Sequence, residues 1–396
     1  MRLAMTLMIR DAADILEDNL RYHRAQGVDL FVVADNGSTD GTLEILERYE
    51  EAGLVRLERM PGKLNEVWGP GRTRIARLAF ELGADWVIHN DDDEFWWPVS
   101  GDLKQALAAI PERFGMVVAP RTEFVARPGD GFYADRMTVR EARFLRPPKA
   151  AHRTHPRVVL GQTHPSQIWL ENAPVDAFSG RPGLREQGAN HSARPDMELV
   201  LAPIFPIRIL HFPLRSLAQY RHRIEVAQAA AQLAGEEREK VRTAFEAGRL
   251  EDVYEELTLS DPAVAKGIEE GWLVEDTDFR DYLAACPNPL EGGEAPAPPE
   301  WSSERREREL AELQLDGMYA VTRYVRGIKP GSRRGRYQAL KRTESRLRTR
   351  VNRQERRLAR QQRKLDHIKS SRWWRLRPRV PARLRRRNST QRAQSG

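Results

Sequence analysis

Within the first ninety residues, short apolar runs alternate with stretches of helical period, and this restricts the chain to a sheet whose strands run largely in parallel. Residues 3–9, 30–34, 54–57 and 86–89 are apolar runs of strand length. Residues 14–26 and 42–51, and a stretch near 72–82, carry the 3.6-residue spacing of amphipathic helices. Strand and helix in strict turn predict an α/β domain with helices on both faces of the sheet. The loops at the carboxyl ends of those strands are where a ligand of such a sheet lies.

At 396 residues the chain exceeds what one core organises, so two or more regions are expected. No apolar run approaches the roughly 20 residues of a spanning helix. The apolar start, residues 1–9, lacks a small-residue cleavage site and reads as the first strand. A single cysteine, Cys286, rules out an intrachain disulfide and a multi-cysteine zinc site; it fits a reducing cytoplasm and reads as a small buried apolar residue. The net charge of +8 hides a division: residues 332–396 carry 24 Lys and Arg against 3 Asp and Glu, a balance of +21, leaving −13 for residues 1–331. An acidic body is a poor nucleic-acid binder, whereas a basic tail attracts anionic headgroups or phosphates.

Between residues 121 and 206 the pattern loosens into Pro-, Gly- and His-rich sequence, expected as long loops framing a site. Helix formers dominate residues 214–257, residues 261–283 form a further helical segment, and PNPLEGGEAPAPP over 287–299 is a linker by composition. Beyond it Leu340, Leu347, Val351, Leu358, Leu365 and Ile368 share one heptad frame in which Gln354 and Gln361 occupy d positions. They are compatible with a coiled coil, and through it a homodimer, or with a single solvated helix. Trp373, Trp374 and the arginines through Arg387 suit a membrane interface.

Two segments carry chemistry. The second strand runs into Asp35-Asn36-Gly37-Ser38-Thr39-Asp40-Gly41-Thr42. Asp35, ending the strand, can accept from a base N–H or ribose hydroxyl; Gly37 and Gly41 permit tight turns; and Ser38 to Asp40 can cap the next helix, although an Asx-type turn alone would use the same residues. The fourth strand ends in Asn90-Asp91-Asp92-Asp93-Glu94-Phe95-Trp96-Trp97. Four adjoining carboxylates repel one another unless a cation neutralises them, and hard oxygen ligands suit Mg²⁺ or Mn²⁺, which could bridge a diphosphate and stabilise its departure. The aromatics beside them would anchor that loop to the core or stack on a sugar.

These two segments resemble those of family 2 glycosyltransferases with the GT-A fold, in the branch whose acidic motif reads Asp-x-Asp-Glu-Phe. The resemblance covers roughly residues 3–225. It implies a Rossmann-like, mostly parallel sheet, with Asp35 contacting the nucleoside and Asn36, Gly37, Ser38 and Asp40 in support. It also implies Asp91 and Asp93 on the metal and donor diphosphate, with Asp92 and Glu94 beside them. Where relatives carry Asn-Glu after the first strand this chain has Arg10-Asp11, so Asp11 stands in for that Glu. Gly188-Ala189-Asn190-His191 and Ile209-Leu210-His211-Phe212-Pro213-Leu214-Arg215-Ser216 match further segments of the branch; they suggest His211 as a metal ligand and His191 in the donor or acceptor pocket. Family 2 enzymes invert, which implies a carboxylate base, for which Asp196 is the candidate among Glu123, Asp176, Glu186 and Glu198. Arg72 and Arg74 could reach a phosphate or simply solvate their helix.

The expected organisation is a GT-A domain over 1–225, a helical extension over 226–286, a linker over 287–300, a helical or coiled-coil region over 301–369 and a basic Trp/Arg tail over 370–396. The tail resembles terminal segments of bacterial enzymes that build cell-surface polysaccharides. Together these imply a nucleotide-sugar donor, a saccharide or lipid-linked acceptor, a cytoplasmic enzyme held peripherally on the inner face of the membrane, and no specific nucleic acid. A nucleic-acid-binding or scaffold protein using the tail, and a nucleotidyltransferase using the same acids on Mg²⁺, are the competing expectations.

Overall fold

A computed structural model describes residues 1–62, 64–142, 148–154, 158–160, 169–170, 202–229, 236–299 and 301–320, all within one compact unit. Its first part follows the predicted alternation: β1 (Leu3–Ile9), α1 (Leu16–Ala25), β2 (Leu30–Asp35), α2 (Thr42–Glu51), β3 (Val55–Arg59), α3 (Leu64–Glu81) and β4 (Trp86–Asn90). After it come β5 (Glu94–Pro98), α4 (Leu103–Ala108), β6 (Met116–Ala119), β7 (Arg121–Glu123), α5 (Tyr133–Arg136), β8 (Val139–Glu141) and β9 (Lys149–Arg153). The short strands β10 (Val158–Leu160) and β11 (Trp169–Leu170) precede β12 (Ile207–His211). The remainder is largely helical: α6 (Leu217–Ala229), α7 (Glu236–Glu246), α8 (Leu250–Leu257), α9 (Asp261–Glu269), β13 (Leu273–Glu275), α10 (Asp278–Ala285) and α11 (Ser303–Ala320).

The central sheet has the order β3-β2-β1-β4-β9-β6; its first four strands are parallel, and β9 runs antiparallel to both of its neighbours. Every residue of β1 and β2 is buried, as expected of strands covered on both faces. Side chains alternate across the sheet: Leu3, Met5, Leu7 and Ile9 join the core with α1 and α2, while Ala4 and Met8 meet Ile75 and Ala79 of α3 on the other face. Burying Leu, Val or Ile side chains of this kind contributes about 1.5–3 kcal/mol each.

Helix α3 begins eight residues earlier than its periodicity predicts and runs through Pro70. Gly69-Pro70-Gly71 reads locally as a breaker, since proline removes a helical N–H. Tertiary contact overrides it: Gly71 packs so closely on the sheet that a Cβ would meet Met8 and Met60 at 3.1 Å. A second, three-stranded sheet, β5-β12-β7, lies beyond the acidic turn, with β12 antiparallel to β5 and parallel to β7. It comes from sequence predicted partly as loop. Beside it α10 closes an aromatic cluster of Tyr22, Phe95, Trp97, Phe212, Phe279 and Tyr282. No helix among the described residues is long and apolar enough to cross a membrane. The heptads beyond Ala320 and the basic tail lie outside the described residues.

Candidate active site

β1 and β2 end side by side, with Ile9 opposite Asp35, and the two loops that leave them are stitched together. The Asp35 carboxylate accepts from the Gly37 N–H at 3.0 Å and the Ser38 hydroxyl at 2.5 Å. Ser38 Oγ in turn accepts from the Asp11 N–H at 2.9 Å. Asp11 accepts from the Thr39 N–H at 2.7 Å, and Asp40 accepts from the Ala13 N–H at 3.0 Å and the Thr42 hydroxyl at 2.6 Å. Gly37 and Gly41, at φ 79° and 99°, supply the left-handed turns this loop needs. Asp11 is the one non-glycine residue at positive φ among those described, at 53°. Burial would raise its carboxyl pKa, but the Thr39 N–H, His222 at 3.1 Å and Arg10 together outweigh that and lower it. Thus the acids expected at the nucleoside first shape the loop, keeping part of the roughly four lone-pair sites of each carboxylate for a ligand. Asn36 donates to the Met60 and Gly62 carbonyls at 2.8 and 3.1 Å, while its buried Oδ1 has no partner among the described residues.

β4 ends at Asn90 and β5 starts at Glu94, so Asp91, Asp92 and Asp93 form the turn between them. Two buried asparagines clamp it from beneath. Asn19 Nδ2 of α1 donates to the Asp92 and Glu94 carbonyls at 2.9 and 3.0 Å, and Asn90 Nδ2 donates to the Glu94 carbonyl at 3.0 Å. Phe95 and Trp96 are fully buried, and the Trp96 indole N–H donates to Asn90 Oδ1 at 2.9 Å. Of the two roles open to these aromatics, the fold gives Phe95 and Trp96 the core.

Each acid meets basic partners. Asp91 lies 3.0 Å from Arg72 and 2.6 Å from Lys149 of β9; burial would raise its pKa, but Lys149 and Arg72 hold it below the usual range. Glu94 is fully buried, against Lys149 and 2.9 Å from Arg121. Asp93 Oδ1 is 3.3 Å from His211 Nε2, and Oδ2 is 4.0 and 3.9 Å from Arg215 and Arg223. These three cations outweigh burial and lower the Asp93 pKa, whereas burial and the Asp93 charge raise that of Asp92. For His211 burial works downward, yet Asp93 and Glu123 outweigh it and lift the imidazole to about 9.

The separation of Asp93 Oδ1 from His211 Nε2 suits two ligands of one ion, since neighbours in an octahedral shell with bonds near 2.1 Å sit about 3 Å apart. Among the described residues no three His, Cys, Asp or Glu converge as a ready-made site. Remaining ligands would come from Asp91, from a diphosphate and from water, the usual pattern for Mg²⁺. The structure therefore brings Asp93 of the turn against His211 at the end of β12, leaves Asp91 of the same turn bonded to Arg72 and Lys149, and places Asp11, Asp35, Asn36, Gly37, Ser38 and Asp40 in the loops after β1 and β2. His191 and Asp196 lie outside the described residues. Asn19, Lys149, Arg121, Arg223 and His222 went unread, because each is defined by a strand pairing or helix packing that leaves no local motif.

Residues 7–101 match the model of glycosyltransferase family 92, a span from β1 through the acidic turn and β5. This match to a glycosyltransferase family agrees in class with the motifs; the family matched carries a different number from the family 2 whose motifs the sequence resembles. No curated protein matches the sequence. Among solved structures, S. aureus TarS is 20% identical over 33% of this chain and 23% of its own, with a TM-score of 0.25. S. aureus TarS 1–349 in complex with UDP is 19% identical over 39% and 47%, at 0.29. A mycobacterial protein is 21% identical over 33% and 42%, at 0.21. The chain thus spans between about a quarter and a half of these structures' own lengths.

Proposed function

We propose that the chain transfers a sugar from a nucleoside-diphosphate sugar to an acceptor hydroxyl. The observation that carries this reading is the meeting of the Asp35 loop, the Asp91–Asp93 turn and His211 beyond the carboxyl ends of β1, β2 and β4. In it the Asp35 loop and Asn36 hold the nucleoside, and Arg215 and Arg223 face the diphosphate. Asp93 and His211, with Asp91, hold a Mn²⁺ or Mg²⁺ ion. That ion, when bound, neutralises charge on the departing diphosphate. Inversion requires a carboxylate to take the acceptor proton, a role proposed for Asp196. The acceptor is proposed to be a saccharide or lipid-linked glycan, reached from the inner face of the membrane through the basic tail, with the heptads joining two copies.

The test is release of nucleoside diphosphate from a panel of nucleotide sugars with Mn²⁺ or Mg²⁺, comparing wild type with Asp93→Ala. The expected result is metal-dependent cleavage of one donor, reduced at least 100-fold in the variant, as for loss of an electrostatic stabiliser. If no donor is cleaved and none raises the melting temperature, the reading fails.

A further inference from the structure

The acidic turn is tied to the second sheet by a ladder of alternating charge: Arg72, Asp91, Lys149, Glu94, Arg121, Glu123, His211 and Asp93, each in contact with the next. Its far half rests on strand register. His211 of β12 pairs with Glu123 of β7 on one side and with Glu94 of β5 on the other, so the three side chains stand in a row on one face of the sheet. Arg121, two residues before Glu123 and on the same face, reaches Glu94 at 2.9 Å and Glu123 at 3.4 Å. Both carboxylates are buried. Glu123 ends β7, and its contacts include Arg121 and His211.

The contact with His211 has a direction. A carboxylate can only accept, so the 2.9 Å contact between Glu123 Oε1 and His211 Nδ1 places a proton on Nδ1. This leaves Nε2 as the nitrogen turned to Asp93. An imidazole whose other nitrogen is bound by a carboxylate is held in one ring orientation, which pre-sets it as a metal ligand.

We propose that Glu123 is a positioning residue: through Nδ1 it aims His211 Nε2 at the cation position beside Asp93, and Arg121 keeps Glu123 in place by gripping it together with Glu94. This rests on the metal-binding reading of the site. It differs from a purely structural role, in which Glu123 would serve only as a negative partner for Arg121. A shorter acid, Glu123→Asp, keeps the charge but withdraws the acceptor from Nδ1. A neutral isostere, Glu123→Gln, loses the charge but keeps an acceptor at the same reach.

The test uses the full chain with Mn²⁺ alone as probe. Binding is followed by the loss of the free-ion EPR signal, and histidine ring nitrogens are observed by ¹⁵N NMR without metal. Glu123→Asp and Glu123→Ala are expected to weaken Mn²⁺ binding about 10- to 100-fold and to shift the His211 Nδ1 resonance, while Glu123→Gln stays near wild type. The reverse order, with Asp retaining affinity and Gln losing it, overturns the proposal in favour of the structural role. Equal binding by wild type and all three variants also overturns it. Failure of the wild type itself to bind Mn²⁺ sinks the metal reading and this proposal with it, a result distinguishable from the other two.

Discussion

At the scale of single residues, the most exacting arrangement is a pair of histidines buried under the acidic turn. His89 lies on β4 and His152 on β9, with Nε2 atoms 2.8 Å apart. His152 Nδ1 faces the Arg153 carbonyl at 2.7 Å, so it must donate, and its Nε2 must then accept from His89 Nε2–H. His89 Nδ1 is left to accept from the Thr6 hydroxyl at 2.7 Å. The network has room for two neutral rings and no further proton. Burial accordingly lowers His152 to about 4, and lowers His89 well below the usual value with help from His152 beside it and the Arg72 and Lys149 charges; His23, buried in α1, falls to about 3. An unfolded histidine takes up its proton near pH 6.5. Between that value and the folded pKa values the unfolded chain binds more protons, so stability falls as pH is lowered from about 6.5 toward 4. The slope is up to about 1.4 kcal/mol per pH unit for each such group. His211 acts the other way: its raised pKa adds stability that is fully present below about 6.5 and is lost as pH rises through about 9. Urea unfolding from pH 5 to pH 9 should therefore show a maximum between these limits. A flat profile would contradict the protonation states assigned to these buried rings.

At the scale of elements, α11 shows how a helix with a modest apolar stripe is held. Leu313 and Ala320 are fully buried, and Gly317 lies so near Phe205 that a Cβ would collide with its ring. The Gln314 side chain bonds both ways with the Phe205 backbone, accepting from its N–H at 3.0 Å and donating to its carbonyl at 2.9 Å. Glu309 pairs with Arg208 of β12 at 3.1 Å and lies 3.7 Å from Arg140 of β8. The strand that presents His211 is thus braced from the side away from the acidic turn. Gly317→Val is expected to cost about 1–3 kcal/mol by overpacking, read as a lower urea midpoint. Leu315→Ser, at a position 68% exposed, should leave the midpoint unchanged. An unchanged midpoint in Gly317→Val would show that α11 does not depend on this contact.

At the scale of the whole molecule, the division of charge between residues 1–331 and 332–396 is the basis of the proposed contact with a membrane. Each Lys or Arg near an anionic bilayer contributes about 1 kcal/mol. Replacing Arg372, Arg375, Arg377, Arg383, Arg385, Arg386 and Arg387 by Gln should abolish co-sedimentation with phosphatidylserine vesicles, and salt should weaken binding of the wild type. Undiminished binding by the variant would exclude the tail as an anchor. The parallel strands, the two loops that follow β1 and β2 and the acidic turn were legible in the sequence because each is a local pattern. Apolar runs of fixed length report burial on both faces, and Gly, Asn and Asp at a strand end report turns. The second sheet was largely illegible, because Arg121, Glu123, Lys149 and His211 acquire their partners only through strands paired across long sequence separations. The early start of α3, through Pro70 and Gly71, was illegible for the same reason, since local propensity is weaker than packing of Gly71 against Met8 and Met60. What the sequence by itself determined was the α/β class of the fold and the place of its two motifs at strand ends; which cation meets which carboxylate, and which histidine nitrogen faces Asp93, was decided by tertiary structure, because register and not composition sets those distances.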